Sequence, residues 1–384
     1  MSKLNVPQLR FSEFSGEWEE TVVKNVLDTL IDCEHKTAPY VEYSKYLVVR
    51  TNNVKNGRLS YDEMKYTSYE GYKEWTQRKV PSHNDVLFTR EAPAGESCLV
   101  PANKTICLGQ RMVLLQPNLQ KITTSFLLWF LQSNIGKKRI QKFVIGTTVT
   151  RINIKDIYRI NCFIPSLLEQ EKIASFLTAV DSKIEQLTQK QTLLQDYKKG
   201  VMQKIFSQEI RFKANDGSVF AEWEEKKLKE VLTIGSGKDY KHLDEGSIPV
   251  YGSGGYMTSV NNYLYDGESV CIGRKGTIDK PMFKSGKFWT VDTLFYTHSF
   301  KGTLPKFVYY IFQRVNWRKY SEASGVPSLS KSTIESIKVS IPTIEEQVKI
   351  ATFLTSIDTK IDHNSKQLDQ VKQFKKALLQ QMFV

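Results

Sequence analysis

Apolar and polar positions follow two different periods along the 384-residue chain. In two long segments, residues 167–206 and 344–383, an apolar residue recurs at every seventh position. The first row comprises Ile173, Val180, Leu187, Leu194 and Val201, and the second comprises Ile350, Ile357, Val371 and Leu378, with the polar Asn364 between its members. A 3.5-residue repeat over five heptads predicts a long helix whose apolar seam faces another helix.

The two segments are copies of one another. IPSLLEQEKIASFLTAVDSKI begins at Ile164 and IPTIEEQVKIATFLTSIDTKI begins at Ile341, 177 residues later, and 13 of these 21 positions are identical. The correspondence continues without a gap to Phe206 and Phe383. We therefore predict that each helix pairs with the other copy in antiparallel orientation; the alternative is two separate core helices. Asn364 is either a hydrated seam residue or a residue that sets the register.

The start of each helix is also duplicated. Ser166 and Thr343 follow an X-Pro dipeptide, and Glu169 and Glu346 stand three residues later. This spacing predicts a capping box, in which the hydroxyl and the carboxylate each accept a backbone N–H. A second apolar row is expected beside the first, formed by Phe176, Leu177, Ile184, Tyr197 and Ile205 in the first copy.

Outside these helices the pattern shortens to period two. Residues 46–50, 85–90 and 112–115, and in the second half residues 248–251, 269–274 and 288–291, are short apolar runs bounded by Gly, Asn or Pro. Such runs predict short strands joined by tight turns. Two further blocks correspond between the halves, residues 86–90 with 270–274 and 126–146 with 307–325, the latter an apolar helix followed by basic residues. The fold class predicted is α+β, with two β-rich bodies and two long helices.

The chain carries 54 Lys and Arg against 41 Asp and Glu, a formal charge of +13, which favours a polyanionic partner. The five cysteines, Cys33, Cys98, Cys107, Cys162 and Cys271, form no CxxC pair, which suits a reducing cytosol and argues against structural zinc. The N-terminal MSKLNVPQLRF has no signal-peptide core, and runs such as 126–131 are too short to span a bilayer. A soluble cytoplasmic protein is expected.

Sequence signals for catalysis are weak. Gly235-Ser236-Gly237-Lys238 lacks the first glycine and the Ser or Thr of a phosphate-binding loop, and a surface turn is the expected structure. No two prolines are adjacent, which excludes the Asn-Pro-Pro-aromatic motif of amino-group DNA methyltransferases. Asp181-Ser182-Lys183 resembles part of a nuclease triad but falls on a helix face. We therefore expect no catalytic residue and no bound metal.

Signals for DNA binding are stronger. Residues 271–287 contain five basic residues and one acid, with glycines that permit close approach of the backbone. Arg and Lys on firm strands or turns contact phosphates and base edges, whereas a charged surface turn is the alternative. The candidates in the second half are Tyr251, Ser253, Arg274, Lys275, Trp289 and Ser328. Those in the first half are Thr89, Arg90, Glu91, Gln110, Arg111, Thr147, Thr148 and Arg151.

Taken together these stretches resemble the specificity subunit of Type I restriction-modification systems. The resemblance is carried by the duplicated IPSLLEQEKIASFL and IPTIEEQVKIATFL, by DVLFTREAPAGE from Asp85, by IPVYGSGG from Ile248, and by ESVCIGRKGTIDKP and WTVDT from Glu268 and Trp289. It covers essentially the whole chain.

The resemblance implies two target recognition domains, residues 1–165 and 208–342, with a central helix at 166–207 and a distal helix at 343–384 that pair as an antiparallel coiled coil about a pseudo-two-fold axis. Each domain would read one half of a bipartite, asymmetric double-stranded DNA site, with the helices setting the unread spacer.

The partners implied are two modification subunits, which bind S-adenosylmethionine and methylate adenine at N6, and two restriction subunits, which use ATP and Mg. The chain itself would bind no cofactor. The rival interpretations are a fused restriction-methylation protein and a coiled-coil DNA-binding regulator or scaffold without methyltransferase partners.

Overall fold

The computed structural model describes residues 5–33 and 37–384, so the first four residues of the N-terminal segment examined for a targeting signal lie outside the described residues. The chain divides into two compact units. Unit 1 runs to Gln189 and also contains Ser365–Val384, whereas unit 2 is Lys190–Asn364. Each unit thus contains one β-rich body and parts of both long helices. The domain boundaries given above stay a prediction.

Unit 1 begins with short strands and helices that precede the first long helix. Its strands are β1 (Glu19–Val22), β2 (Leu27–Asp32), β3 (Tyr46–Val49), β4 (Val54–Lys55), β5 (Arg58–Leu59), β6 (Lys65–Thr67), β7 (Val86–Thr89), β8 (Ser97–Leu99), β9 (Thr105–Leu108), β10 (Met112–Pro117) and β11 (Asn161–Ile164). Its short helices are α1 (Val23–Val26), α2 (Tyr69–Trp75), α3 (Thr124–Gln132), α4 (Asn134–Gln141) and α5 (Ile154–Tyr158), with a 3-10 turn at Thr51–Asn53.

The main sheet of unit 1 has the strand order β2-β10-β7-β8 and is buried on both faces. Alternate residues of β10 point to opposite sides, because side chains in a strand alternate between faces. Val113 and Leu115 join the core formed with α3, and Met112 and Leu114 join a second core with β3 and β9. The predicted strands at 46–50, 85–90 and 112–115 are confirmed.

Unit 2 repeats this plan. After the first long helix, α6 (Leu167–Phe206), its strands are β12 (Glu224–Lys227), β13 (Thr233–Ser236), β14 (Glu245–Gly252), β15 (Gly255–Val260), β16 (Tyr265–Asp266), β17 (Ser269–Gly273), β18 (Met282–Lys284), β19 (Lys287–Thr290), β20 (Leu294–His298) and β21 (Lys338–Ile341). Its short helices are α7 (Leu228–Val231), α8 (Pro305–Arg314) and α9 (Lys331–Ser336), with a 3-10 turn at Trp317–Tyr320. The second long helix, α10 (Ile344–Gln381), begins in unit 2 and ends in unit 1.

The sheet β13-β20-β17-β18 packs against α8 through Val270 and Ile272, whereas Cys271 faces the opposite core. The Gly-Ser-Gly sequence is not the surface turn expected from the sequence. Gly235 lies within β13 and is buried, and the ring of Tyr296 occupies the space where a Cβ at this position would lie, with a ring carbon 2.3 Å from that point. Only glycine fits there without displacing Tyr296.

Within each unit the long helices pack as an antiparallel pair. In unit 1 the start of α6, with Ile173, Leu177 and Val180, shares a core with the end of α10, with Leu378 and Met382. In unit 2 the end of α6 and the start of α10 share a core that contains Ile205, Ile350, Leu354 and Ile357, with Val201 partly buried beside it. The predicted pairing of the two copies is confirmed within each unit.

At the remaining seam positions, the heptad spacing predicted burial correctly for some residues and incorrectly for others. Leu187 is buried, whereas Leu194 and Val371 are half-buried. Tyr197 is 53% exposed, so its placement in the seam was wrong, because it lies at the edge of the apolar stripe. Asn364 is buried and its side-chain Nδ2 donates to Gln191 Oε1 at 2.8 Å, so this residue is not hydrated at the surface.

The capping boxes form only in part. Ser166 Oγ accepts the backbone N–H of Glu169 at 3.4 Å, as a capping residue should. The Glu169 carboxylate, however, accepts Arg10 Nε and Nη2, both at 2.7 Å, and Trp18 Nε1 at 3.3 Å. A fully charged guanidinium competes better for a buried carboxylate than a backbone amide does. The glutamate therefore attaches the segment before β1 to the helix.

Unit 2 repeats this arrangement at the equivalent positions. Thr343 Oγ1 accepts the N–H of Glu346 at 3.4 Å, and the Glu346 carboxylate accepts Arg211 Nη2 at 2.9 Å and Trp223 Nε1 at 3.1 Å. The side chain of Glu346 is completely buried. Both halves of the sequence open with an Arg-Phe pair, at residues 10–11 and 211–212, and a Glu-Trp-Glu-Glu run, at residues 17–20 and 222–225. These duplicated segments supply the partners of the two helix-start glutamates.

Candidate nucleic-acid interface

The turn that follows β17 is held by backbone hydrogen bonds from two sides. Arg274 N donates to Thr293 O at 2.8 Å, and Arg274 O accepts Leu329 N at 2.9 Å. Two residues later, Gly276 N donates to Pro327 O at 2.9 Å. The turn is therefore fixed against the loop that precedes α9. A fixed backbone is needed if a particular side chain is to contact a base or a phosphate in a defined geometry.

Four of the six candidates in unit 2 come together at this turn. Gly276 has a φ of +82°, and the point where its Cβ would lie is 3.5 Å from Ser253 Oγ at the tip of the β14–β15 hairpin. Lys275 forms an isolated antiparallel bridge with Ser328. Arg274 and Lys275 are exposed, and neither side chain has a hydrogen-bond or ion-pair partner among the described residues. Two exposed cations thus lie on a turn that backbone hydrogen bonds hold in place.

The aromatic candidates lie in the adjoining cores rather than at the surface of this turn. Trp289 is 6% exposed and its indole N–H donates to Lys238 O at 2.9 Å, so the expectation that it contacts DNA is not supported by its placement. Tyr251 is half-buried, and Lys284 Nζ lies 3.7 Å from the centre of its ring. Burial lowers the pKa of Lys284 below its ordinary value. These aromatic side chains therefore belong to the cores of unit 2 rather than to its exposed surface.

The rest of the basic stretch is partly engaged. Asp279 accepts Arg318 Nε at 2.8 Å, which also holds the pKa of that carboxyl below its ordinary value. Lys287 Nζ lies 4.8 Å from the centre of the Tyr263 ring, and Lys280 is exposed. The cations most available to a polyanion are therefore Arg274, Lys275 and Lys280.

Unit 1 contains the same backbone frame around Arg90. Arg90 N donates to Arg111 O at 2.8 Å, and Arg90 O accepts Ile152 N at 2.8 Å. These bonds match those made by Arg274 with Thr293 and Leu329. The duplicated Val86–Arg90 and Val270–Arg274 blocks thus have equivalent hydrogen bonds in their own units.

The side chains on the two frames differ. Arg90 Nη1 lies 3.9 Å from Asp32 Oδ2, and Arg90 Nε donates to Ile152 O at 3.4 Å, so this guanidinium is largely buried within unit 1. Arg111, at a φ of +71°, places its Nε 3.1 Å from Glu91 Oε2. Asp32, at the end of β2, is 58 positions from Arg90 in the sequence, so the sequence gave no indication of this contact.

The exposed part of the first candidate set lies on neighbouring loops. Thr147, Thr148 and Arg151 are exposed, and Arg151 forms isolated bridges with Glu91 and with Ile145. Gln110 is exposed in the turn before β10. Thr89 is completely buried, and its hydroxyl accepts the N–H of Glu96 at 2.9 Å, so burial removes it from the surface on which DNA contact was expected.

Metal and membrane features are absent from the described part of the chain. No group of three or more His, Cys, Asp or Glu side chains within residues 5–33 and 37–384 could hold a metal ion. Over the same residues, no helix combines the length and the apolar character needed to cross a bilayer. Asp181, considered above as a nuclease-triad fragment, forms an ion pair with Lys375 at 2.5 Å.

Comparison with known proteins identifies the fold and the repeat. The family model described as "Type I restriction modification DNA specificity domain" matches residues 17–195 and again residues 221–373. Two relatives from Methanocaldococcus jannaschii are the putative type I restriction enzyme MjaX specificity subunit and the type I restriction enzyme MjaVIII specificity subunit. The first is 22% identical over 98% of this chain and 95% of its own length. The second is 24% identical over 78% of each chain.

Two solved structures share the fold. The S subunit of a Type I restriction-modification system from M. genitalium superposes with a TM-score of 0.68 at 20% identity, covering 99% of each chain. A chain from a structure that describes complex assembly and conformational transition of the type I R-M system gives a TM-score of 0.57 at 15% identity, over 96% of this chain and 98% of that one.

Proposed function

Because this chain belongs to the family of Type I restriction modification DNA specificity domains, we propose that it reads a bipartite, asymmetric double-stranded DNA site, one half-site with each unit. Its role in such a system is DNA sequence specificity. The turns at Arg90 and Arg274, together with the loops that flank them, are the proposed contact surfaces.

The observation that carries this proposal is that Arg90 and Arg274 make equivalent backbone hydrogen bonds, whereas the side chains around them differ. Arg274 and Lys275 are exposed and without side-chain partners among the described residues, whereas Arg90 is largely buried, with its Nη1 3.9 Å from Asp32 Oδ2. Two recognition surfaces that display different donors and acceptors select different base pairs. The two half-sites are therefore expected to differ in sequence.

The reaction itself is assigned to partner proteins. We propose two modification subunits that bind S-adenosylmethionine and methylate adenine at N6, and two restriction subunits that use ATP and Mg. In this proposal the present chain is non-catalytic, and DNA is the ligand that it binds directly. One solved structure that shares this fold is described as addressing complex assembly of the type I R-M system, which supports a multi-subunit arrangement.

Mapping of N6-methyladenine in cells with and without this chain tests the proposal. Methylation at a single two-part sequence with unlike halves, lost when the chain is deleted, is expected. A modified palindrome would contradict unlike reading units. Recovery of the tagged chain without a methyltransferase subunit would instead favour a DNA-binding regulator or scaffold.

A further inference from the structure

The internal repeat makes each long helix complementary to a copy of itself. Lys198 Nζ lies 2.6 Å from Asp358 Oδ1 in unit 2, and Lys375 Nζ lies 2.5 Å from Asp181 Oδ1 in unit 1. Each helix therefore carries one lysine and one aspartate of this kind. Two α6 helices from two copies of the chain could form equivalent pairs between Lys198 and Asp181 of the other copy. Charge alone does not prevent this association.

The apolar rows of the two helices also permit association between two copies of the same helix, except at two positions. At all but two contact positions between the long helices, residues 177 apart are either apolar in both helices or identical in both, as are Lys198 and Lys375 and also Asp181 and Asp358. Leu187 corresponds to Asn364, and Gln191 corresponds to Leu368. Polarity at these four residues is the one difference along the seam that can distinguish α6 from α10.

In the structure, the two polar residues of this set contact one another, and the two leucines are buried. Asn364 is 1% exposed and its Nδ2 donates to Gln191 Oε1 at 2.8 Å. Leu187 lies one helical turn before Gln191, and Leu368 lies one turn after Asn364. Both leucines are buried. Pairing of α6 with α10 thus matches amide with amide in unit 2 and leaves apolar residues at the equivalent positions in unit 1.

We propose that the Asn364–Gln191 pair prevents two copies of this chain from associating through like helices. In the same antiparallel register, two α6 helices would place Gln191 opposite Leu187 of the other copy, twice. Two α10 helices would place Asn364 opposite Leu368, also twice. Every like pairing places two amides against leucine, whereas the pairing of α6 with α10 places none in that way. In the structure Asn364 is buried and Gln191 is half-buried.

The penalty for a mismatch follows from the hydrogen bond that it loses. A buried amide without a partner weakens an association by about tenfold or more, because it leaves water without a replacement bond. Two mismatches in each like pairing multiply this effect. A single polar pair in a coiled-coil seam is a known means of selecting partner and register at some cost in stability. The inference is independent of DNA binding.

The test compares three forms of the full-length chain. The first is the natural sequence. The second is the double variant Gln191→Leu with Asn364→Leu, which removes the distinction between the helices. The third adds Leu187→Asn and Leu368→Gln, which moves the polar pair to the equivalent place in unit 1 and restores a mismatch in every like pairing. The molar mass of each is measured by light scattering over a range of concentrations, with unfolding midpoints as a check of folding.

We expect the double variant to form dimers and larger species at a concentration at least tenfold lower than the natural chain, and the four-residue variant to return to the natural distribution. Dimers could also form by domain swapping, in which two copies exchange α10. Swapping keeps α6 opposite α10 in all three forms, so it cannot make the double variant associate more strongly than the other two. Equal association by the natural chain and the double variant would overturn the proposal. So would a four-residue variant that associates as strongly as the double variant.

Discussion

Lys198 and Asp358 form an ion pair of 2.6 Å between the end of α6 and the start of α10. The Lys198 ammonium also lies 5.4 Å from the centre of the Tyr310 ring, and the Tyr310 hydroxyl donates to Asp358 Oδ2 at 2.8 Å. Unit 1 repeats the group, since Lys375 contacts Asp181 and lies 4.8 Å from the centre of the Trp129 ring. The repeat therefore preserves the link between helix pair and β-rich body.

Replacement of Lys198 by methionine should destabilise unit 2. The lysine side chain is 15% exposed and that of Asp358 31%, so the carboxylate would keep only part of its hydration after losing its partner. We expect a loss of about 1–3 kcal/mol in the free energy of unfolding. Lys204→Met is the control, because Lys204 pairs with Glu209 at the surface and such pairs contribute under about 1 kcal/mol. Equal shifts of the urea midpoint for both variants would contradict this prediction.

Glu346→Gln should be more damaging than a change at the neighbouring Glu222. Glu346 is buried and holds both Arg211 and Trp223, and its hydrogen bond raises the pKa of Arg211. Loss of the charge leaves the guanidinium without its buried counter-ion, which should cost about 2–4 kcal/mol. Glu222 contacts the same arginine at 3.4 Å but is exposed, so Glu222→Gln should shift the thermal midpoint very little. Similar midpoints for the two variants would refute the assigned role of Glu346.

Arg274→Ala should relax the reading of one half-site and leave the other half-site unchanged. Loss of an arginine that contacts a base edge costs about 1–3 kcal/mol of discrimination at that position. The readout is the methylated sequence in cells that carry the variant. Lys280→Ala, an exposed cation outside the rigid turn, is the matched control and should retain the specificity. Uniform weakening on every DNA sequence, with a salt slope reduced by about 0.9, would make Arg274 a phosphate contact instead.

Stability should fall at alkaline pH because of the buried thiols. Burial raises the pKa of Cys98, Cys107, Cys162 and Cys271 from 9.0 to about 12. The unfolded chain ionises these thiols near pH 9, whereas the folded chain holds their protons until about pH 12. The stability contributed is therefore complete below pH 9 and is lost as pH rises towards 12.

The measurement for this prediction is the change in urea midpoint between pH 8 and pH 10. Each buried thiol should account for about 1 kcal/mol of the decline at pH 10. The double variant Cys98→Ala with Cys162→Ala should consequently show a shallower decline than the natural chain. A decline of the same size in both would assign the alkaline effect to other groups.

Much of the architecture follows from the sequence. The heptad rows, the 177-residue offset and the short period-two runs determine the long helices, their pairing in each unit and the main strands, because burial of an apolar stripe is decided by spacing. The contact between Gln191 and Asn364 could also have been predicted from the sequence, because alignment of the two copies places leucines, Leu368 and Leu187, at the equivalent positions.

Tertiary structure alone decided which charged side chains remain available. Asp32 lies 3.9 Å from Arg90, whereas Arg274 at the equivalent position has no such partner among the described residues. The Glu169 carboxylate binds Arg10 rather than its own helix end. Trp289, expected at the DNA-facing surface, belongs to a core. The reason is physical: spacing along a chain determines which face of an element is apolar, but the partner of a charged or aromatic side chain comes from segments distant in sequence, brought near only when the elements pack.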